Sequence, residues 1–406
     1  MDCCVTGILT PSIRDKVCED DKILMWIARS SVTAISFVSS SFDLPQNTIK
    51  KYWGQPIALY FKPALDHYLH IHNFHTIQIL MSHLDPELLL KYLLFNVMPS
   101  LRKQNDLATP ISSILASKEF YGGDDVRFLM ILIYNALLER HFIASIENPE
   151  YQWLERQLIH CLILGDDTLK NIKIKIINYQ TLPFHRDPQP NKNFDQALEN
   201  VSCVKTIRNE KKYSLKPEYA NIIQVFYFLN KFNKYLTIHK RIKKMYQMKK
   251  CKFQLPEIPE LRDSFKGMNN FMFSNAYSNL LMTVLVRRYR NIFANFTNIV
   301  DNLVITSMSL CLMLKVSIAH NIPHELQKTI DLLFGIRDDL GGLNVMIFLV
   351  QWKHKVNNAI FISVVDYMIE LSRIQSSFFS DLSDKTYHMT LKAKVCQELA
   401  LKAFQK

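Results

Sequence analysis

The stretch from Tyr151 to Asn230 constrains the fold more than any other part of this chain. Trp153–Leu164 sets apolar residues at helical spacing and stops at Gly165, and Asp166 and Asp167 are placed to cap a second helix over Thr168–Ile177. A loop broken by Pro183, Pro188 and Pro190 follows, then a short helix from Asn193 to Val201. Two β-like runs come next, Ser202–Ile207 and Lys212–Leu215, separated by the polar turn Arg208-Asn209-Glu210-Lys211. Three helices closed by a hairpin outline a winged-helix domain. Pro217 then stands at the first position of a further helix, where its missing N–H costs nothing.

On either side of this stretch the pattern is helical. The chain has 406 residues, 48% of them hydrophobic, and only 9 Gly, enough to bury a substantial core in two or three helical domains. Ile23–Ile35 reads as one helix, and Ser39-Ser40-Ser41 with Pro45 as a loop. Asp85 and Pro86 open a helix over Glu87–Met98; Leu101–Gly123 reads as a polar link; Asp124 then caps an apolar helix, Phe128–Phe142. Arg127, Glu139 and Arg140 make that helix too charged, and its length makes it too short, for a membrane span. The expected class is mainly α, with helical bundles flanking a winged-helix domain that carries a small β-hairpin.

The expected divisions are an undefined segment over 1–60, a helical domain over 61–150, and the winged-helix region over 151–232 running into a long basic helix to about 252. A C-terminal helical domain over 262–380 and a basic amphipathic tail helix over 381–406 complete the order.

Metal and thiol chemistry find little footing. The eight cysteines, at 3, 4, 18, 161, 203, 251, 311 and 396, include no Cys-x-x-Cys pair, so neither a disulfide framework nor a zinc knuckle is written in the spacing, and a reducing cytosolic or nuclear compartment fits best. Met1-Asp2-Cys3-Cys4 lacks the basic region of a secretory signal. His67, His70, His72 and His75 would spread over roughly 200° of a helix and so do not converge on one ion. His160 precedes Cys161, but adjacent helical residues point to different faces, so His160 is expected to pack or cap rather than act as a base. No catalytic, cofactor-binding or metal-binding residue is expected.

Charge is concentrated instead. Pro217 to Lys250 reads as one long helix, and Lys231–Lys252 carries nine Lys or Arg and no acid, against a net charge of +12 for the whole chain. A winged helix beside such a helix could hold phosphates. The third helix of the domain, however, carries Asp195 and Glu199 against Lys192 alone, an acidic reading head that repels a nucleic-acid backbone. An acidic protein surface is therefore preferred to nucleic acid as a partner, beside the plain reading of the basic stretch as a solvated face.

Beyond Leu255-Pro256-Glu257-Ile258-Pro259-Glu260-Leu261, which ends the long helix, Phe265–Val286 and Asn302–His320 read as an antiparallel helical block; Lys315 argues against a membrane span in the second. Ile330-Asp331-Leu332-Leu333-Phe334-Gly335-Ile336, the corner Leu340-Gly341-Gly342-Leu343 and a helix Val345–His354 follow.

The order Leu84-Asp85-Pro86-Glu87, apolar helix, Gly165-Asp166-Asp167 turn, short helix, hairpin ending Tyr213-Ser214-Leu215-Lys216-Pro217-Glu218, long basic helix and proline spacer resembles the central region of UBR-type E3 ubiquitin ligases, the N-degron recognins. The resemblance runs from about Leu84 to Val350 and takes in neither the UBR box nor the RING, the two zinc-binding modules of the family, so no cofactor is expected here. It implies a scaffold positioning a protein substrate relative to a ubiquitin-conjugating enzyme. A RING holds that enzyme in a productive pose without supplying a nucleophile, so a scaffold of this kind would contribute no catalytic residue. The tail Asp384–Lys406 is similar to a basic helix that contacts the conjugating enzyme in the family.

Candidate partner contacts are thus Lys240, Arg241, Lys243 and Lys244 on the basic helix and Lys385, Lys392 and Lys394 on the tail. Two other readings stand beside the ligase: a non-enzymatic adaptor or competitor that shares the scaffold, and a winged-helix nucleic-acid binder.

Overall fold

The computed structural model describes residues 20–40, 74–103, 105–118, 120, 124–176, 192–207, 209–227, 232–248, 251–290, 296–320 and 322–378. The architecture is mainly helical with one small antiparallel sheet, and the chain divides into two compact units, Met1–Thr306 and Ser307–Lys406.

Helix α1, Asp21–Ser40, starts where the Asp20 carboxylate accepts the backbone N–H groups of Lys22 and Ile23. Leu24, Ala28 and Val32, spaced four apart, form its buried stripe. Helix α2, over 74–83, buries Phe74, Ile77, Leu80 and Met81. Helix α3, Pro86–Val97, is capped as expected by Asp85, which accepts from the N–H groups of Glu87 and Leu88.

The expected polar link after α3 is more ordered than its composition suggests. It holds a 3₁₀ turn, Leu101–Lys103, and a short helix α4, Ile111–Ala116, that buries Ile111, Ile114 and Leu115. Glu87 stitches it back to α3, accepting the Ile111 N–H at 3.0 Å while pairing with Lys91 at 2.8 Å. The Lys91 ammonium, working against partial burial, holds the Glu87 carboxyl below the usual range.

Helix α5 spans Asp124–Leu138, four residues short of the expected end at Phe142. The backbone turns off at Glu139 because the segment beyond it pairs with the proline spacer. Ser145 N–H donates to Glu260 O at 2.9 Å and Arg262 N–H to Ile143 O at 3.0 Å, around an antiparallel bridge between Ala144 and Leu261. Helix α6, Pro149–Leu162, ends at Gly165, whose φ of +145° suits a residue without a Cβ.

The polar turn after Gly165 is a short strand, β1, Asp167–Thr168, which the sequence pattern did not reveal. Asp167 therefore does not cap helix α7, Leu169–Ile176; the Thr168 hydroxyl accepts the Asn171 N–H instead, at 3.4 Å. Asp167 binds Thr168 N–H, Asn171 and Lys175, and these donors outweigh its burial to hold its carboxyl low. Helix α8, Lys192–Val201, leads into β2, Ser202–Ile207, and β3, Glu210–Leu215, turned at Asn209 with φ of 64°. The strand order is β1-β3-β2, with Asp167 opposite Tyr213 and Lys205 opposite Lys212.

The expected single helix from Pro217 to Lys250 is broken. Pro217–Ile222 is a 3₁₀ turn, 223–227 is non-helical, and the basic helix α9 covers Phe232–Gln247. The cause is tertiary: the backbone groups of Ile222, Gln224 and Phe226 are bonded to side chains of α5 and α6, which withdraws them from any helical ladder.

The block after the spacer opens with the 3₁₀ turn Asp263–Phe265 and is likewise divided, into α10, Gly267–Met272, and α11, Asn275–Arg290. The Ser274 hydroxyl between them accepts the Tyr277 N–H at 3.1 Å and ends the first helix by capping the second. Helix α12 covers Phe296–His320; within it Val300–His320 is long and apolar enough to cross a membrane, and 78% of its most apolar window is buried inside the protein, as for a core helix.

In the second unit, α13, Pro323–Phe334, ends at Gly335, where a Cβ would lie 2.4 Å from Asp331 O. The expected Gly341-Gly342 corner is present, both residues having positive φ, and Arg337 pairs with Leu343 across it. Helices α14, Val345–Lys355, and α15, Ala359–Phe378, follow, each begun by an Asn side chain, Asn344 and Asn358, accepting backbone N–H groups.

Candidate functional site

Two features stand out in the first unit, one buried and one exposed. The buried one is a polar clamp built where α5, α6 and the 222–227 strap meet. Helix α6 carries Arg156 and His160 one turn apart on its buried face. The Arg156 guanidinium forks onto the Glu139 carboxylate, Nη2 to Oε1 at 2.9 Å and Nε to Oε1 at 3.2 Å, and its Nη1 donates to Ile222 O at 2.7 Å. Both charged residues are about 5% exposed, so the pair is stable only while every donor and acceptor is matched.

His160 is wedged between two backbone groups. Its Nδ1 lies 2.8 Å from the Arg156 carbonyl and its Nε2 accepts the Gln224 N–H at 3.1 Å, which requires the neutral Nδ1–H tautomer. The imidazole also stacks on Tyr227, with ring centroids 3.8 Å apart. Burial, reinforced by the Arg156 charge, pushes its pKa well down, and burial with the Glu139 charge pushes the Tyr227 phenol well up. Tyr134 donates to Gln224 Oε1 at 2.6 Å, and Asn135 donates to Phe226 O at 2.7 Å. Beside the clamp, burial lowers the His141 pKa to about 4, although its Nε2 is 3.6 Å from Glu139; the imidazole is neutral there and makes no ion pair.

This clamp is structural chemistry. With both ring nitrogens of His160 committed, it has no lone pair to offer Cys161 as a base, in line with the packed role expected from the sequence. The Cys251 thiol, raised by burial to about 11, stays protonated at neutral pH. One signal of the clamp is legible in the residues, the charged Glu139-Arg140 at the end of an apolar run; the strap that completes it reads as helix.

The exposed feature is basic. Of the candidate contacts, Lys240, Arg241 and Lys244 are exposed and Lys243 half-buried on α9, with Ile242 and Tyr246 buried beneath them. Arg241 is tied down: its Nη1 donates to Leu164 O at 2.6 Å and crosses within 3.2 Å of where a Cβ on Gly165 would stand. Lys385, Lys392 and Lys394 lie outside the described residues. A second basic group, which sequence reasoning passed over, comes from the sheet: the register sets Lys205 directly opposite Lys212, and Lys212 directly opposite Thr168. Helix α8, by contrast, exposes Asp195 and Glu199.

His75 packs edge-on against Phe142 at 5.2 Å; His67, His70 and His72 lie outside the described residues. Among the described residues no group of three or more His, Cys, Asp or Glu is placed to hold a metal ion.

Compared with protein-family models and with curated proteins, the chain finds no match in either.

Proposed function

We propose that the chain is the central scaffold of a UBR-type E3 ubiquitin ligase, which positions a protein substrate relative to a ubiquitin-conjugating enzyme. Its α6–β3 region is read as a winged-helix domain. The observation that carries this reading is the order helix, Gly165 turn, short strand, two helices and hairpin, with sheet order β1-β3-β2, inside the stretch whose motifs resemble the family. What supports a scaffolding role is the rigidity of the join. The strap 222–227 is bonded to the last turn of α5 and the spacer 255–261 to the segment just after it, so the hairpin domain and the helices before and after it share one polar framework.

On this reading the chain supplies no nucleophile, and transfer is carried out on a conjugating enzyme held by a RING. The partners are the conjugating enzyme and protein substrates, in the cytoplasm or nucleus. The adaptor reading shares the same scaffold and differs only in lacking a role in transfer; co-purification with a full-length ligase would favour it.

The test is retention of ubiquitin-conjugating enzymes on the immobilised full chain. One enzyme is expected to bind and to be lost in the variant Lys392→Glu with Lys394→Glu; absence of binding by the wild-type chain overturns the proposal.

A further inference from the structure

The β-hairpin leaves an open strand edge beside unrelieved positive charge. In the order β1-β3-β2, the outer side of β2 pairs with no strand among the described residues. The direction of its backbone groups follows from the ladder. Lys216 N–H donates to Val201 O at 3.0 Å, so those two residues face each other, and alternation makes Cys203/Ser214 and Lys205/Lys212 the next hydrogen-bonded pairs. Val204 and Thr206 therefore turn their N–H and C=O groups outward, away from β3. The side chains there are open too: Cys203 through Thr206 are all exposed, Val204 to 55%.

Charge supplies the second observation. Lys205 and Lys212 share one face as a directly opposed pair, an arrangement that costs stability in an isolated sheet. Among the described residues neither is joined in a salt bridge, and exposed Lys211 stands just before Lys212 in β3, opposite Thr206. Folding alone gives no reason to place two like charges there; an anionic partner does.

We infer that the outer edge of β2 binds an extended acidic segment of another protein by strand addition. The added strand bonds the outward groups of Val204 and Thr206. Its alternate side chains then fall on opposite faces, carboxylates beside the Lys205–Lys212 pair and apolar β-branched groups beside Val204. A nucleic-acid duplex fits the same surface less well, because α8 beside it presents Asp195 and Glu199. The inference stands independently of the ligase reading.

The experiment measures fluorescence anisotropy of a labelled peptide, Glu-Val-Glu-Val-Glu-Val, against the full chain. Val204→Pro removes an outward N–H without touching the ladder to β3, so circular dichroism and Tm should hold while affinity falls roughly fivefold or more. Lys205→Glu with Lys212→Glu should abolish binding of this peptide and admit its Lys-Val counterpart. Should Val204→Pro unfold, the peptide N-methylated at alternate amides replaces it and must bind more weakly than its parent. Absence of binding, equal affinity for Val204→Pro or the methylated peptide, or tighter binding of a duplex oligonucleotide that displaces the peptide overturns the inference.

Discussion

Glu139 and Arg156 are nearly removed from water, yet they match each other's charge and Arg156 also holds the Ile222 carbonyl; Lys205 is exposed and Lys212 half-buried, they face each other, and among the described residues neither has a carboxylate partner. In the clamp, charge is consumed within the fold, locking the 222–227 strap to α5 and α6. In the hairpin, charge is left over. Solvent makes the second arrangement tolerable and the first unforgiving, since an unpaired ion costs little at the surface and several kcal/mol in the interior. The distance between the two behaviours can be measured by attacking each side in turn.

The heaviest blow falls on the clamp. Arg156→Ala strands the Glu139 carboxylate and removes the donor to Ile222 O, and a loss of about 3–5 kcal/mol in unfolding free energy is expected. Chemical denaturation measures it. If Glu139→Gln combined with Arg156→Met restores most of the loss, the penalty comes from the stranded charge; a loss below about 1 kcal/mol for Arg156→Ala alone would show the pair to be hydrated.

Acid should open the same region. His141 has its pKa lowered by burial to about 4, and His160 is also held well down, so the folded chain refuses protons that the unfolded chain accepts. Their contribution is fully present above the ordinary histidine pKa and is lost as pH falls from about 6.5 toward 4. His141 alone accounts for roughly 3 kcal/mol across that window. The slope of Tm against pH should flatten in His141→Asn, and a wild-type chain with no loss of stability over that window would contradict the burial assigned to both rings.

A smaller effect lies at the junction between clamp and sheet. Gly165→Ala places a Cβ on a backbone with φ of +145° and 3.2 Å from the Arg241 guanidinium, so a loss of about 1–3 kcal/mol is expected. Arg241→Ala in the same background should recover only the crowding and leave the backbone strain, a distinction thermal melts can resolve.

These regions also differ in how much of them the residues announce. The hairpin was legible because strand signals are local: alternating residues and a polar turn suffice, and β2 was anticipated with its observed bounds. So were Asp85 as a cap and the Gly341 corner, each a matter of one residue's own geometry. Strand β1, by contrast, is two residues long and exists only through pairing with Tyr213 and Lys212. The strap was misread because Val225 and its neighbours carry a helix-compatible pattern, while the groups that oppose helix formation, His160 and Asn135, lie some 64 and 91 residues away in sequence. Non-local hydrogen bonds leave no periodicity to read. The opposed lysines were hidden likewise, because register is a property of two strands together.

The gentlest substitution bears most directly on the contrast. Lys212→Thr removes one of the opposed charges and puts a β-branched residue in the middle of β3, and both changes favour the sheet. Stability should rise by about 0.5 kcal/mol. The wild-type chain should gain from added salt, which screens the lysine pair, whereas the variant should respond less. Affinity for the acidic peptide should fall at the same time. A residue whose removal strengthens the fold while weakening an interaction is one the fold does not need, and that opposition of signs is what separates charge kept for a partner from charge spent on architecture. Loss of stability in Lys212→Thr would place Lys212 with Arg156, as a member of the fold's own framework.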